Sequence, residues 1–441
     1  MMTNKDQTAA TLLRGATVNF TDNPRIKGDD NSVQYEAKGA VVISEDGRIL
    51  WQGAFVQLPD EFKDLPCDDY DDKIIMAGFI DPHIHFPQYR ILAAPGKDLL
   101  DWLNRFTFPE ESRYSSEEYA AKAAEFFLDR LFANGTTSAL AFCSVHKTCA
   151  DTLFAAAEKR GMSMITGKTM MDRLAPDAVL DTPETAARDS QDLINKWDNK
   201  GRLKYAITPR FAVTSTDAQL QVTGDLYKDN PDCLMQTHLS ESPGEIATVQ
   251  KQFPWSKDYT DVYDHFNLLG ENSFFAHGIH LSERECQRLA ESKSTVVHCP
   301  TSNNFLGSGL FDIDHLSKPE RPVGVGVATD VGGGTSYSML QTLGEAYKVA
   351  MLKGRKITAH DAFYLATLGN AKQLKQDKDI GNLEVGKYAD IVVLDPKATP
   401  VLESRQEVSE NLEDVLFSLM ILGDDRAISA TYVAGERVYK G

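Results

Sequence analysis

Eight short β-branched or apolar runs, separated by longer amphipathic segments, constrain the fold of this chain more than any other feature. The sequence predicts strands at Ile74–Ile80, Thr137–Cys143, Met164–Met170, Tyr205–Pro209, Cys233–His238, Ser273–His277, Thr295–Cys299 and Val323–Thr329. Between them lie helical patterns such as 119–133, closed by Asn134-Gly135, and 150–160, closed by Gly161. Both glycines suit the left-handed position just past a helix end. Strand and helix alternating eight times is the rhythm of an α/β fold, a (β/α)8 TIM-like barrel. A doubly wound open sheet is the alternative, but no glycine-rich phosphate loop follows the first run. A chain of 441 residues accommodates such a barrel and a small companion.

The flanks read differently. Residues 39–53 hold two strand-like runs around Asp46-Gly47, a strong hairpin signal. Residues 388–395 and 430–440 also look like sheet strands, and neither flank shows a helical rhythm. The expected division is a catalytic barrel over 74–379 and a small β-sandwich domain formed by both chain termini, 1–73 and 380–441.

Forty-six basic residues against 64 acidic ones give a net charge of −18, which argues against a nucleic-acid groove or an anionic membrane as partner. No apolar stretch approaches the length of a membrane span, and the first residues lack the basic-then-apolar order of a secretory signal. Cys67, Cys143, Cys149, Cys233, Cys286 and Cys299 form no C-x-x-C pair, so they read as reduced thiols of a cytoplasmic protein. A small molecule is the expected partner.

The chemistry starts at 78–88, Gly-Phe-Ile-Asp-Pro-His-Ile-His-Phe-Pro-Gln. Residues i and i+2 of a strand face one side, so His83 and His85 project together, as the first two ligands of a catalytic metal would. Strand ends are where barrel enzymes gather their active groups. There the sequence also places Arg210, His238 with Glu241 three residues on, His277, and Asp330. Three histidines and one carboxylate suit zinc or ferrous iron with a position left for water, whose pKa the metal brings near 7. Glu241 is placed to shuttle protons, and Arg210 offers a planar fork of donors. Taken singly each has an ordinary explanation: a satisfied histidine, a solvated glutamate, a capping arginine, an aspartate in the turn before Gly332-Gly-Gly. His298 points where a pocket residue would stand, whereas His146 and His280 read as peripheral or surface residues.

These pieces, Gly78 to His85, Thr237-His-Leu-Ser-Glu241, Ala276-His-Gly and Ala328-Thr-Asp330, resemble the mononuclear branch of the amidohydrolase superfamily. Within it, His85-Phe-Pro-Gln88, Leu99-Leu-Asp-Trp-Leu-Asn, Thr107-Phe-Pro-Glu, Ala206-Ile-Thr-Pro-Arg-Phe211, Pro300-Thr-Ser-Asn and Leu422-Gly-Asp-Asp-Arg are similar to the guanine deaminase family. The likeness runs from about residue 39 onward. It implies one Zn2+ per chain, with Fe2+ as the other candidate, held by His83, His85, His238 and Asp330. It implies guanine as substrate, held by Gln88, Arg210 and Phe211 beside His85, His238, Glu241 and Asp330. Glu241 would protonate N3, Asp330 accept the proton of the attacking water, and His277 hydrogen-bond water or substrate. The product would be xanthine, and the assembly a homodimer. Binuclear members bridge two metals through a lysine after strand four. Here Arg210 occupies that neighbourhood, Lys204 opens the strand, and Lys168 on strand three is the remaining candidate, so one metal is expected. Another mononuclear deaminase would share every ligand, and only Gln88, Arg210 and Phe211 decide against it.

Overall fold

The computed structural model describes residues 9–441; the first eight residues of the segment assigned to the terminal domain lie outside the described residues. Eight parallel strands form a barrel: β1 (Phe79–His85), β2 (Thr136–Phe142), β3 (Ser163–Gly167), β4 (Leu203–Pro209), β5 (Leu234–Leu239), β6 (Ser273–His277), β7 (Thr295–His298) and β8 (Gly324–Val327). Seven of the eight are buried along almost every residue, as strands covered by helices outside and side chains inside must be. The predicted helices form, one over Glu117–Ala133 and one over Lys147–Lys159, and Gly135 and Gly161 terminate them at φ +76° and +63°.

The seam between β8 and β1 is closed by few backbone bonds. Asp330 N donates to His83 O (3.0 Å) and His85 N to Val331 O (3.3 Å). Asn370 completes the ladder with its side chain. Its Nδ2 donates to Ile80 O (2.8 Å) and Val327 O (2.9 Å), and its Oδ1 accepts from Val327 N (3.2 Å).

Both chain ends build a separate seven-stranded sheet. Its order is Glu436–Lys440, Ile428–Val433, Ile391–Leu394, Cys67–Ala77, Ala9–Phe20, Val33–Ser44, Ile49–Ala54. Leu13, Val41, Ile43, Ile75, Ile391 and Val393 pack on one another there. The predicted hairpin at Asp46-Gly47 joins its last two strands.

Two expectations need correction. Ile74–Ile80 is not one strand: residues 74–77 end the terminal-sheet strand, and β1 starts at Phe79. Gly78 is the joint; a Cβ there would lie 2.3 Å from Thr137 Oγ1. The C-terminal flank also carries helices, Pro400–Gln406 and Leu412–Leu422, the second capped by Asn411 and burying Leu416, Leu419 and Met420. No helix among the described residues is long and apolar enough to cross a membrane.

Candidate metal centre and pocket

His83 and His85 stand on the last residues of β1 with ring centroids 5.0 Å apart. His238, near the end of β5, brings its Nε2 to 3.2 Å from His85 Nε2. Asp330 Oδ1 lies 3.4 Å from His83 Nε2 and 3.3 Å from His85 Nε2. His238 Nδ1 donates to the Arg210 carbonyl (2.7 Å), which leaves its Nε2 lone pair facing the cluster. Phe142 stacks on His85 at 4.7 Å and fixes the ring. Burial first, and then neighbouring positive groups, hold His83, His85 and His238 well below the usual imidazole range, so all three are neutral. His83 Nε2 has no hydrogen-bond partner among the described residues although it is buried. Neutral nitrogens converging on one carboxylate oxygen, one of them unpartnered, fit a divalent cation.

Beside this cluster stand Glu241 and a fourth histidine. His277 Nε2 is 3.5 Å from Glu241 Oε2 and 3.9 Å from Asp330 Oδ2. Its Nδ1 donates to Asn303 Oδ1 (2.8 Å), so Nε2 is free to accept. Ser308 Oγ donates to Glu241 Oε1 (3.2 Å). Burial, reinforced by the charge of Asp330, pushes Glu241 up to about 8. Burial also raises Asp330, to about 6. Ser240, His277 and Asp330 all adopt positive φ, +49°, +72° and +50°. Non-glycine residues persist there only where the surroundings over-determine them, and three at one barrel rim mark a built site.

These groups open into a pocket of about 360 Å³ whose remaining wall includes Gln88, Leu99, Trp102, Leu103, Arg210 and Phe211. Arg210 does not stand free. Its Nη1 donates to both oxygens of Glu111 (2.9 and 2.8 Å), and its guanidinium lies 5.4 Å over the Phe108 ring. Gln88 Nε2 also donates to Glu111 Oε1 (2.9 Å) and sits 3.1 Å from His85 Nδ1. Gly332 makes room for it: a Cβ there would fall 2.0 Å from Gln88 Oε1.

The structure thus brings His83, His85, Gln88, Arg210, Phe211, His238, Glu241, His277 and Asp330 together. Sequence reasoning missed Glu111, Asn303, Ser308 and Phe142. It also set aside Cys299, which joins His83, His277 and Asp330 in a second group whose donor atoms lie within 4.8 Å of one another. His298 is not in the pocket wall; it stacks on Phe311 at 4.3 Å and lines a neighbouring cavity. Lys168 is buried against Asp181. His280, exposed, donates its Nε2–H to Ser308 O (2.8 Å), and His146 is half-buried.

Comparison with known proteins places the chain among relatives. The amidohydrolase family matches residues 74–438. Guanine deaminase of Escherichia coli (strain K12) is 46% identical over 435 residues, covering 97% of each chain. The solved E. coli guanine deaminase superposes with a TM-score of 0.93 at 45% identity, over 98% of this chain and 99% of that one. A crystal structure of guanine deaminase from C. acetobutylicum with guanine bound in its active site gives 0.87 at 29% identity, over 97% and 100%.

Proposed function

The chain belongs to the amidohydrolase family, and on that premise we propose that its barrel pocket hydrolyses guanine at C2, giving xanthine and ammonia. One observation carries the reading. Metal-competent ligands and the protonatable Glu241 face Gln88 and Arg210 across a single pocket. His83, His85, His238 and Asp330 hold one metal ion, zinc in preference to ferrous iron given three imidazoles and a carboxylate. When bound, the ion supplies an acidified water at neutral pH.

The chain's own groups do the rest. Asp330 accepts the proton of the attacking water. Glu241, protonated near neutrality because burial raises it, gives its proton to N3 and so makes C2 electrophilic. His277, oriented by Asn303, offers Nε2 to the attacking oxygen. The leaving amino group takes the proton that Asp330 collected, and as the C2 carbonyl forms its hydroxyl proton passes to Glu241, restoring the one spent on N3. Arg210, with Nη1 committed to Glu111, presents its remaining N–H groups to O6. The Gln88 amide meets the same polar edge, and the Phe211 ring covers the purine face. A pocket with matched groups on that edge rejects bases that lack them, because its buried donors would go unpaired.

The test is ammonia release by zinc-loaded protein supplied with guanine, adenine, cytosine or ammeline in parallel. Release from guanine alone is expected. Release from another base instead would keep the metal centre and overturn the roles given to Gln88, Arg210 and Phe211.

A further inference from the structure

Between β1 and the helix Glu117–Ala133 the chain runs out over the barrel mouth. There it forms a single turn of helix, Leu99–Trp102, and then a π-helical turn, Leu103–Thr107. Leu99, Trp102 and Leu103 are the part of the pocket wall that this segment supplies, in the same pocket that His85, His238 and Asp330 line. Trp102 is 3% exposed, yet its indole N–H has no acceptor anywhere among the described residues. Its position is enforced. Trp102 N donates to Asp98 O (3.0 Å), and the Asp98 carboxylate caps the turn by accepting from Asp101 N (2.9 Å). Gly96 lets the side chain in, since a Cβ at 96 would lie 2.6 Å from Trp102 Cβ. π-Helical turns recur at functional sites, and here one follows directly on the pocket residues.

A buried tryptophan ordinarily gives its N–H to a partner, and leaving it without one is unfavourable. A phenylalanine would fill the same wall without that cost. The N–H is therefore kept for an acceptor that arrives with the ligand. On the reading above, which this inference rests on, C2, N3 and O6 are served by the metal centre, Glu241, Gln88 and Arg210. The imidazole half of the purine is left for the remaining wall that Leu99, Trp102 and Leu103 supply, and its one acceptor without a partner is N7. We propose that Trp102 is a specificity-determining residue whose indole N–H donates to N7 of the bound purine.

The experiment compares guanine with 7-deazaguanine, which replaces N7 by C–H, on the zinc-loaded enzyme and on Trp102→Phe. The wild-type protein should use 7-deazaguanine roughly tenfold less well in kcat/KM, mostly through KM. Trp102→Phe should lose about that factor on guanine and almost nothing on 7-deazaguanine, with kcat and zinc content retained. Equal losses on both substrates would reduce Trp102 to a wall residue and overturn the proposal. Should the variant fail to fold, the wild-type ratio decides, and equal use of the two bases overturns it. Absence of guanine turnover by the wild-type enzyme would instead refute the deaminase reading itself.

Discussion

Glu241 and Glu111 are both buried glutamates at one pocket, and their surroundings assign them opposite work. Glu241 has one hydroxyl donor and a nearby carboxylate, and it is pushed up to about 8, so it holds a proton near neutrality. Replacing it by glutamine keeps the size and a hydrogen-bonding head but removes the transferable proton. Glu241→Gln is expected to retain zinc and lose about 10²- to 10⁴-fold in kcat; near-normal turnover would exclude it as the proton carrier. Glu111 is an ion-pair partner, fully buried with Arg210. Glu111→Gln leaves a guanidinium uncompensated, which costs about 3 kcal/mol or more. Urea unfolding should register that loss, and steady-state kinetics should show KM for guanine rising more than kcat falls. The two residues also differ in legibility. Glu241 follows a histidine at a strand end, where a period of two and a barrel rhythm already point. Glu111 lies on a short helix of the mouth segment, 99 positions from Arg210, and nothing in local spacing links them.

At the scale of elements, Asn370 does for β1 and β8 what a ninth strand would do. Asn370→Leu keeps the volume but leaves two carbonyls and one N–H buried without partners. Denaturant melts should show a loss of about 2–4 kcal/mol, and zinc should bind more weakly because His83 and Asp330 stand just beyond that seam. Unchanged stability would mean that the seam closes without the side chain. The strands themselves were largely readable, since buried apolar runs with turn signals survive any tertiary context. Boundaries were not. Two strands belonging to different sheets run end to end through Gly78, and neither composition nor alternation breaks where the sheet changes. Helix Leu412–Leu422 escaped because it is apolar on nearly all sides and so lacks a polar face to betray its period.

For the molecule as a whole, the buried titratable groups set a pH response. Asp81, Glu241 and Glu245 are raised by burial to about 7, 8 and 7. The folded state therefore keeps protons that the unfolded chain has released, and stability falls as pH rises through this range. His83, His85, His238 and His298 are depressed and act in the opposite sense, but only below their ordinary 6.5, where the unfolded chain binds the proton. Metal-free protein should accordingly lose roughly 2–3 kcal/mol between pH 6.5 and 8. Thermal melts across that window should show the decline, and Glu241→Gln should flatten it; a rising stability would contradict the burial of these acids as neutral groups. The terminal sheet carries a different consequence. The strand Cys67–Ala77 lies between Ala9–Phe20, made before it, and Ile391–Leu394, made only after the whole barrel. While the nascent chain lengthens, that strand has one open edge, and the strand it feeds, β1, lacks its β8 neighbour for almost as long. Synthesis thus runs for most of its course with an adhesive β-edge exposed to other chains. Ribosome stalling before residue 391 would release a species primed to aggregate.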